Sequence, residues 1–141
     1  MKKANQTPGS SFQTAALPWL AVFAWAVLIF YLSDQPSLTL NLGAWEIVLR
    51  KMAHVGEFAV LCLLLWNAIR QHGVAFARAL MIAAAAAFLF AVSDEFHQHF
   101  IAGRDGTPRD VAIDCLGILA MSLIIIRLRR KKTTRTRAPR H

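Results

Sequence analysis

The hydrophobic residues of this chain form four long runs, and the charged residues are confined to the segments between them or to the ends of the runs. The runs lie at about residues 15–32, 47–69, 79–93 and 111–126. Their lengths approach the roughly 20 residues that a helix needs to cross a bilayer, and they show almost no polar face. We therefore predict an all-α fold, an integral membrane bundle of four transmembrane helices.

The composition favours a membrane over water as the solvent of these helices. Apolar residues make up 56% of the 141 positions, and a soluble domain of this size cannot bury several apolar helices of near-spanning length. A bilayer supplies the apolar surroundings instead. The first run resembles a signal sequence, but it continues past the small-residue site at 24–26, so we expect an uncleaved helix. We predict a basic lead-in at 1–14, a transmembrane domain at 15–127 and a basic tail at 128–141.

The net charge of +8 is concentrated at the carboxyl end, where eight of the sixteen Lys and Arg residues follow Ile126. A basic tail can contact nucleic acid, but nothing in it resembles a base-reading fold. Basic residues beside an apolar helix are the usual mark of a cytoplasmic segment. Because four spans return the chain to its starting side, we predict that both termini are cytoplasmic. The expected location is the inner (cytoplasmic) membrane, as a multi-pass protein, without a nucleic-acid partner.

The acidic residues lie together on the opposite side of the membrane from the basic termini in this topology. No acidic residue falls on the predicted cytoplasmic side. The complete set is Asp34, Glu46, Glu57, Asp94, Glu95, Asp105, Asp110 and Asp114. Surface charges placed without a role would not separate in this way, so we expect a polar pocket at the outer face.

The second run opens with RKMAHVGEF, in which Lys51, His54 and Glu57 are three residues apart. On a helix these side chains fall within about a third of the circumference. A carboxylate at the depth of Glu57 costs on the order of 2.5 kcal/mol or more unless it is protonated, hydrated or paired. Glu57 is therefore a candidate acid or base, and the alternative is a packing role in which it pairs with His54 or Lys51.

The third run ends in SDEFHQHF, where Asp94, Glu95 and Gln98 adjoin the apolar segment. The spacing of four between Asp94 and Gln98 places both on one helix face. His97 and His99 are expected to lie at the membrane interface. Asp94 and Glu95 join Glu57 as candidate catalytic acids, and Gln98 is a candidate ligand-binding residue.

The fourth run follows IAGRDGTPRD, in which Thr107 and Pro108 predict the cap and the first residue of a helix. Asp110 then occupies the third helical position, where a carboxylate is favoured by the helix dipole. Capping does not explain Asp114, which lies one turn deeper. Arg104 is the natural counter-charge, since its guanidinium suits carboxylates or phosphates. Arg104, Asp110 and Asp114, together with Lys51 and His54, complete the predicted ligand-binding set.

The ordered motifs resemble the VanZ-like family over about residues 20–126. The matching patterns are K-x-x-H-x-x-E-[FY] from Lys51, D-E-x-x-Q from Asp94 and G-R-x-G-x-x-x-D from Gly103, with Ser33–Pro36 similar to a short S-x-Q-P stretch. The chain differs from the family pattern at Ala102, where proline is usual, and at Asp114, where asparagine is usual. The family is named for a protein that confers low-level resistance to teicoplanin, a glycopeptide, so the resemblance implies work at the cell envelope.

Four functions are compatible with these features. The pocket could modify an envelope lipid or a lipid-linked precursor, or it could bind such a lipid or a glycopeptide without catalysis. A proton-coupled transporter and a purely structural membrane protein are the other two. A divalent metal is an expected cofactor only for hydrolysis, because the spacing of Asp, Glu and His matches no established metal motif. Homo-oligomerisation is left open.

Overall fold

The computed structural model describes residues 9–35, 44–101 and 106–137. These ranges contain four α-helices: α1 at Gly9–Ser33, α2 at Ala44–Gln71, α3 at Phe76–Gln98 and α4 at Pro108–Arg137. No strand occurs within the described ranges. Each helix contains an apolar segment long enough to cross a membrane, of 18, 25, 23 and 25 residues in chain order. The predicted all-α bundle of four transmembrane helices is confirmed.

Side-chain contacts at the two ends show that successive helices run antiparallel. At one end, the Trp19 Nε1–H of α1 donates to His72 Nε2 after α2, at 2.9 Å. At the other end, Ser33 of α1 contacts Asp94 of α3. We call the end with Asp94 the polar end, which comprises the last turn of α1, the first turns of α2 and α4 and the last turns of α3. The opposite end carries the basic tail; its cytoplasmic placement stays a prediction.

The core is built around α2, which packs against each of the other three helices. Its buried face includes Phe58, Leu61 and Cys62. On α3, the residues at 79, 83, 87 and 91 are all alanine and all fully buried. A stripe of small side chains lets two helices approach closely, so that van der Waals contact supplies stability in a solvent as apolar as the core.

The outer surface of the bundle is apolar, as a lipid-facing surface requires. Leu17 and Phe23 are each 70% exposed, and Leu89 and Leu119 have 65% and 60% of their surface free. A soluble protein rarely exposes apolar side chains over such contiguous areas. The exposed leucines and phenylalanines, like the length of the helices, therefore indicate a bundle whose exterior faces lipid.

Candidate functional site

The polar end contains a cavity of about 130 Å³ between α2, α3 and α4. At roughly 30 Å³ for each water molecule, this is space for about four waters or one phosphate-sized group. Side chains from all three helices form the wall. The lining residues are Ile47, Arg50, Lys51, His54, Glu95, Gln98, Asp110, Ile113 and Asp114.

The rim of the cavity is stabilised by the start of α4. The Thr107 hydroxyl accepts the Asp110 backbone N–H at 3.3 Å and donates to Asp110 Oδ2 at 2.9 Å. Lys51 of α2 forms an ion pair with the other oxygen, Oδ1. Both carboxylate oxygens of Asp110 are thus engaged. The capping function predicted for Thr107 is what the geometry shows, and Lys51 joins Asp110 in the first turn of α4 to α2.

Glu95 reaches from α3 to the same helix start. Its Oε2 accepts the Thr107 backbone N–H at 3.2 Å, and its surface is only 5% exposed. The segment before α4 lies against α3 because Gly106 has no side chain. A Cβ at this position would lie 3.1 Å from the Glu95 carbonyl carbon and from the His99 nitrogen. Glu95 therefore lies in the wall of the cavity with its carboxylate at the positive end of α4.

Asp94 is buried on a different side of α3, and it does not line the cavity. The Ser33 hydroxyl donates to Asp94 Oδ2 at 2.7 Å, and the Gln98 amide donates to the same oxygen at 2.9 Å. Asp94 Oδ1 has no hydrogen-bond partner within the described part of the chain. These contacts join α1 to α3 at the polar end. Gln98 connects Asp94 and Ser33 to the cavity, because the Gln98 side chain also lines the cavity.

The deepest polar pair of the cavity is His54 with Asp114. His54 Nδ1 lies 3.3 Å from Asp114 Oδ1, and the Asp114 side chain is 1% exposed. The two groups are not aligned as a hydrogen bond, and both Asp114 oxygens lack a hydrogen-bond partner among the described residues. A carboxylate in this position is desolvated without the hydrogen bonds that usually compensate for burial.

Of the predicted site residues that the structure describes, two do not line the cavity, namely Asp94 and Glu57. Glu57 is half-buried, does not line the cavity, and accepts the Trp25 indole N–H through its backbone carbonyl at 2.9 Å. Arg104 lies outside the described residues. His97 stacks on Phe30 with ring centroids 4.2 Å apart, next to Asp34 at the polar end.

Sequence reasoning did not select Arg50 and Ser33 as site residues. Arg50 lines the cavity, and its position beside Lys51 at the start of a span was the available signal. Ser33 holds Asp94. The sequence feature that could have identified Ser33 is a hydroxyl at the end of an apolar run, on the same side of the membrane as the acidic residues.

Three cavity residues have the chemistry of metal ligands. One ligand atom from each of His54, Glu95 and Asp114 lies within 4.8 Å of the other two. The three residues come from α2, α3 and α4, so helix packing rather than a local sequence motif brings them together. An imidazole with two carboxylates suits a divalent transition metal.

Comparison with known proteins places the whole bundle in one family. The family model described as VanZ/LLP1 matches residues 17–129, which extend from α1 into α4. Neither the curated proteins nor the solved structures include a match to this chain. The matched range contains every predicted site residue and covers well over half of the chain. The chain is therefore a multi-pass membrane protein that belongs to the VanZ/LLP1 family.

Proposed function

We propose that this protein acts at the cell envelope by binding the phosphate-bearing headgroup of a lipid or a lipid-linked precursor in its polar cavity. The observation that carries the proposal is the position of the cavity. It lies at one end of a bundle whose helices have membrane-spanning length, which is the depth at which lipid headgroups reside. Its lining combines cationic, acidic and amide side chains.

The cationic part of the lining supports recognition of phosphate. Arg50 and Lys51 both contribute to the wall, and the Lys51 side chain is 40% exposed. A guanidinium donates two parallel hydrogen bonds to phosphate oxygens, and an ammonium adds a point charge. Ile47 and Ile113 flank these groups. The cavity accommodates a phosphate and leaves the remainder of a larger ligand outside.

An apolar groove beside the cavity supports a lipid rather than a free anion. This groove has a volume of about 390 Å³ and lies between the end of α3 and the start of α4. Val92, Phe96 and Val111 contribute apolar surface to it, and Glu95 lines both the groove and the cavity. A headgroup in the cavity would therefore have its acyl or prenyl chain directed along an apolar surface that faces the bilayer.

Binding is better supported than catalysis, although the same site would serve a modifying enzyme. Among the candidate catalytic acids, Glu95 lines the cavity, whereas Glu57 and Asp94 are placed elsewhere. Glu95 is therefore the residue to act as acid or base in the modifying alternative. The resistance to teicoplanin associated with the family's namesake agrees with an envelope ligand, and the identity of that ligand follows from the experiment below.

The proposal is tested by native mass spectrometry of the full chain, purified in a mild detergent and then titrated with phosphatidylglycerol or with a polyprenyl phosphate. The wild type is compared with Arg50→Gln. Loss of a charged hydrogen-bond donor costs about 1.5–3 kcal/mol, which corresponds to roughly a tenfold or greater loss of affinity. Arg78→Gln is the matched control, because Arg78 is an exposed arginine at the opposite end of α3.

We expect both phosphate lipids to bind the wild type and the Arg78 variant, and the Arg50 variant to bind at least one of them about tenfold more weakly. Competition by inorganic phosphate would identify the phosphate as the recognised group. Equal binding by all three proteins would contradict the proposal, as would binding that persists unchanged when the phosphate lipid is replaced by an uncharged diacylglycerol.

A further inference from the structure

We propose that His54, Glu95 and Asp114 bind a divalent transition-metal ion of the zinc class within the polar cavity. This proposal goes beyond headgroup binding and does not depend on it. The ligand atoms of the three residues all lie within 4.8 Å of one another. They are contributed by three different helices, each of which is held at the polar end by contacts already described.

The distances suit one ion of this size. Two ligand atoms bound tetrahedrally at the usual Zn–N and Zn–O distances of about 2.1 Å are roughly 3.4 Å apart. His54 Nδ1 and Asp114 Oδ1 are 3.3 Å apart, which already corresponds to this spacing. One ligand atom from each of the three residues lies within 4.8 Å of the other two, so side-chain movements of at most about 1.4 Å would bring the set to this spacing.

The second observation that points to a ligand is that the Asp114 side chain is buried without a hydrogen bond among the described residues. Its side chain is 1% exposed, it lines the cavity, and both of its oxygens lack a hydrogen bond within the described part of the chain. His54 Nδ1 is in the same condition. A metal ion bound by His54 Nδ1 and one Asp114 oxygen would satisfy both of these atoms and would compensate for the desolvation of the carboxylate.

The chemistry of the donors selects the class of metal. Mg²⁺ and Ca²⁺ prefer oxygen ligands, whereas an imidazole nitrogen with two carboxylates suits Zn²⁺ or Mn²⁺. Three protein ligands also leave one position of a tetrahedral ion open. That position would face the interior of the cavity. The Thr107 N–H bound to Glu95 Oε2 is the kind of outer hydrogen bond that orients a ligating carboxylate.

A bound metal would also change what the cavity attracts. At formal charges, the lining contains two cations, Arg50 and Lys51, and three carboxylates, Glu95, Asp110 and Asp114. A divalent ion would add two positive charges beside these carboxylates and would strengthen the attraction of the cavity for a phosphate. A phosphate could then occupy the open metal position while it contacts Arg50 at the rim.

The test is metal analysis of the full chain, purified in detergent with its affinity tag removed, because a polyhistidine tag binds the same metals. The apoprotein is loaded with Zn²⁺ or Mn²⁺, and the retained metal is quantified by elemental mass spectrometry. Asp114→Asn preserves the shape of the side chain and removes its charge. Asp94→Asn is the matched control, because Asp94 is equally buried at the polar end and lies outside the three-residue set.

We expect stoichiometric metal in the wild type and in Asp94→Asn. In Asp114→Asn and in Glu95→Gln we expect a loss of affinity larger than the roughly 10- to 100-fold that follows from removing an outer partner of a ligand. Binding of Co²⁺ by the wild type gives a readout that needs no variant, because a nitrogen- and oxygen-ligated ion shows visible absorption bands. This result stands even if the variants fail to fold. Absence of both retained metal and cobalt bands in folded wild type would overturn the proposal, as would equal affinity in folded Asp114→Asn.

The lipid titration above, repeated on apoprotein, separates the two proposals. Metal binding without lipid binding would support the metal site and reject the headgroup proposal. Lipid binding by a protein that takes up no metal would do the reverse.

Discussion

Gly117 lies at the crossing of α2 and α4, directly below the polar cavity, and its replacement by alanine gives a quantitative test of the packing. A Cβ at this position would lie 2.9 Å from the Val55 carbonyl carbon and 3.2 Å from the Ala59 nitrogen, and it would collide with the Val55 oxygen. These are backbone atoms of α2, which cannot rotate away. The helices must separate instead.

The size of that separation follows from the contact distances. Restoring ordinary carbon–carbon contact of about 3.5–4.0 Å from 2.9 Å requires a movement of at least about 0.6–1.1 Å. Overpacking of this kind costs about 1–3 kcal/mol. His54 adjoins Val55, and Asp114 precedes Gly117 by one turn. The same movement would therefore lengthen the distance between His54 Nδ1 and Asp114 Oδ1 from 3.3 Å to about 4 Å, the limit of an ion pair.

Gly56→Ala is the matched control on α2, because a Cβ at Gly56 meets nothing within 4 Å. Both substitutions gain about 0.5–1 kcal/mol of helix propensity, so the difference between them isolates the packing cost. Unfolding in mixed micelles with increasing sodium dodecyl sulfate, followed by circular dichroism, measures the free energy. We expect Gly117→Ala to be less stable than Gly56→Ala by about 1–3 kcal/mol. Coincident unfolding curves would refute the close crossing.

Two further predictions concern the polar end and the topology. Ser33→Ala removes the hydroxyl that donates to Asp94, and the same unfolding assay should show the free energy of unfolding lowered by about 1–3 kcal/mol. Ser93→Ala, at an exposed position, is the control and should be near neutral. Equal effects of the two substitutions would contradict the buried contact. A green fluorescent protein fused after His141 should fluoresce, and an alkaline phosphatase fused there should be inactive, because the basic tail is predicted to be cytoplasmic; the opposite pattern would place the cavity at the inner face.

The number and type of the helices could be predicted from the sequence because each apolar run has a single stable state in a bilayer. Their ends could not be predicted as well. The third run was expected to end at 93, but α3 continues to Gln98. The start of α4 at Pro108 agrees with the prediction from Thr107 and Pro108, but the fourth run was expected to end at 126 and α4 continues to Arg137. Charged side chains mark the edge of the apolar region, whereas helical backbone hydrogen bonds continue past them.

The site was predictable to the extent that topology determines it. Antiparallel spans bring the start of α2, the end of α3 and the start of α4 together, which places Lys51 and Asp110 in reach of each other. Which side chain of a helix faces which neighbour depends on packing order. Adjacent residues such as Asp94 and Glu95 diverge by about 100° on a helix, so one meets α1 and the other α4. Glu57 is rotated by about 120° from Lys51 and is therefore not on the cavity wall.

The buried carboxylates of the polar end differ in how well structure alone accounts for them. Asp110 accepts the Thr107 hydroxyl at the start of α4 and pairs with Lys51. Asp94 joins α1 to α3 through Ser33 and Gln98. Among the described residues, Asp114 pairs with His54, and this pair lacks hydrogen-bond alignment. A buried pair of this quality is often less stable than an apolar pair of the same volume. Helix packing would therefore favour a hydrophobic residue at position 114, and a carboxylate there is better explained by a ligand that the cavity binds.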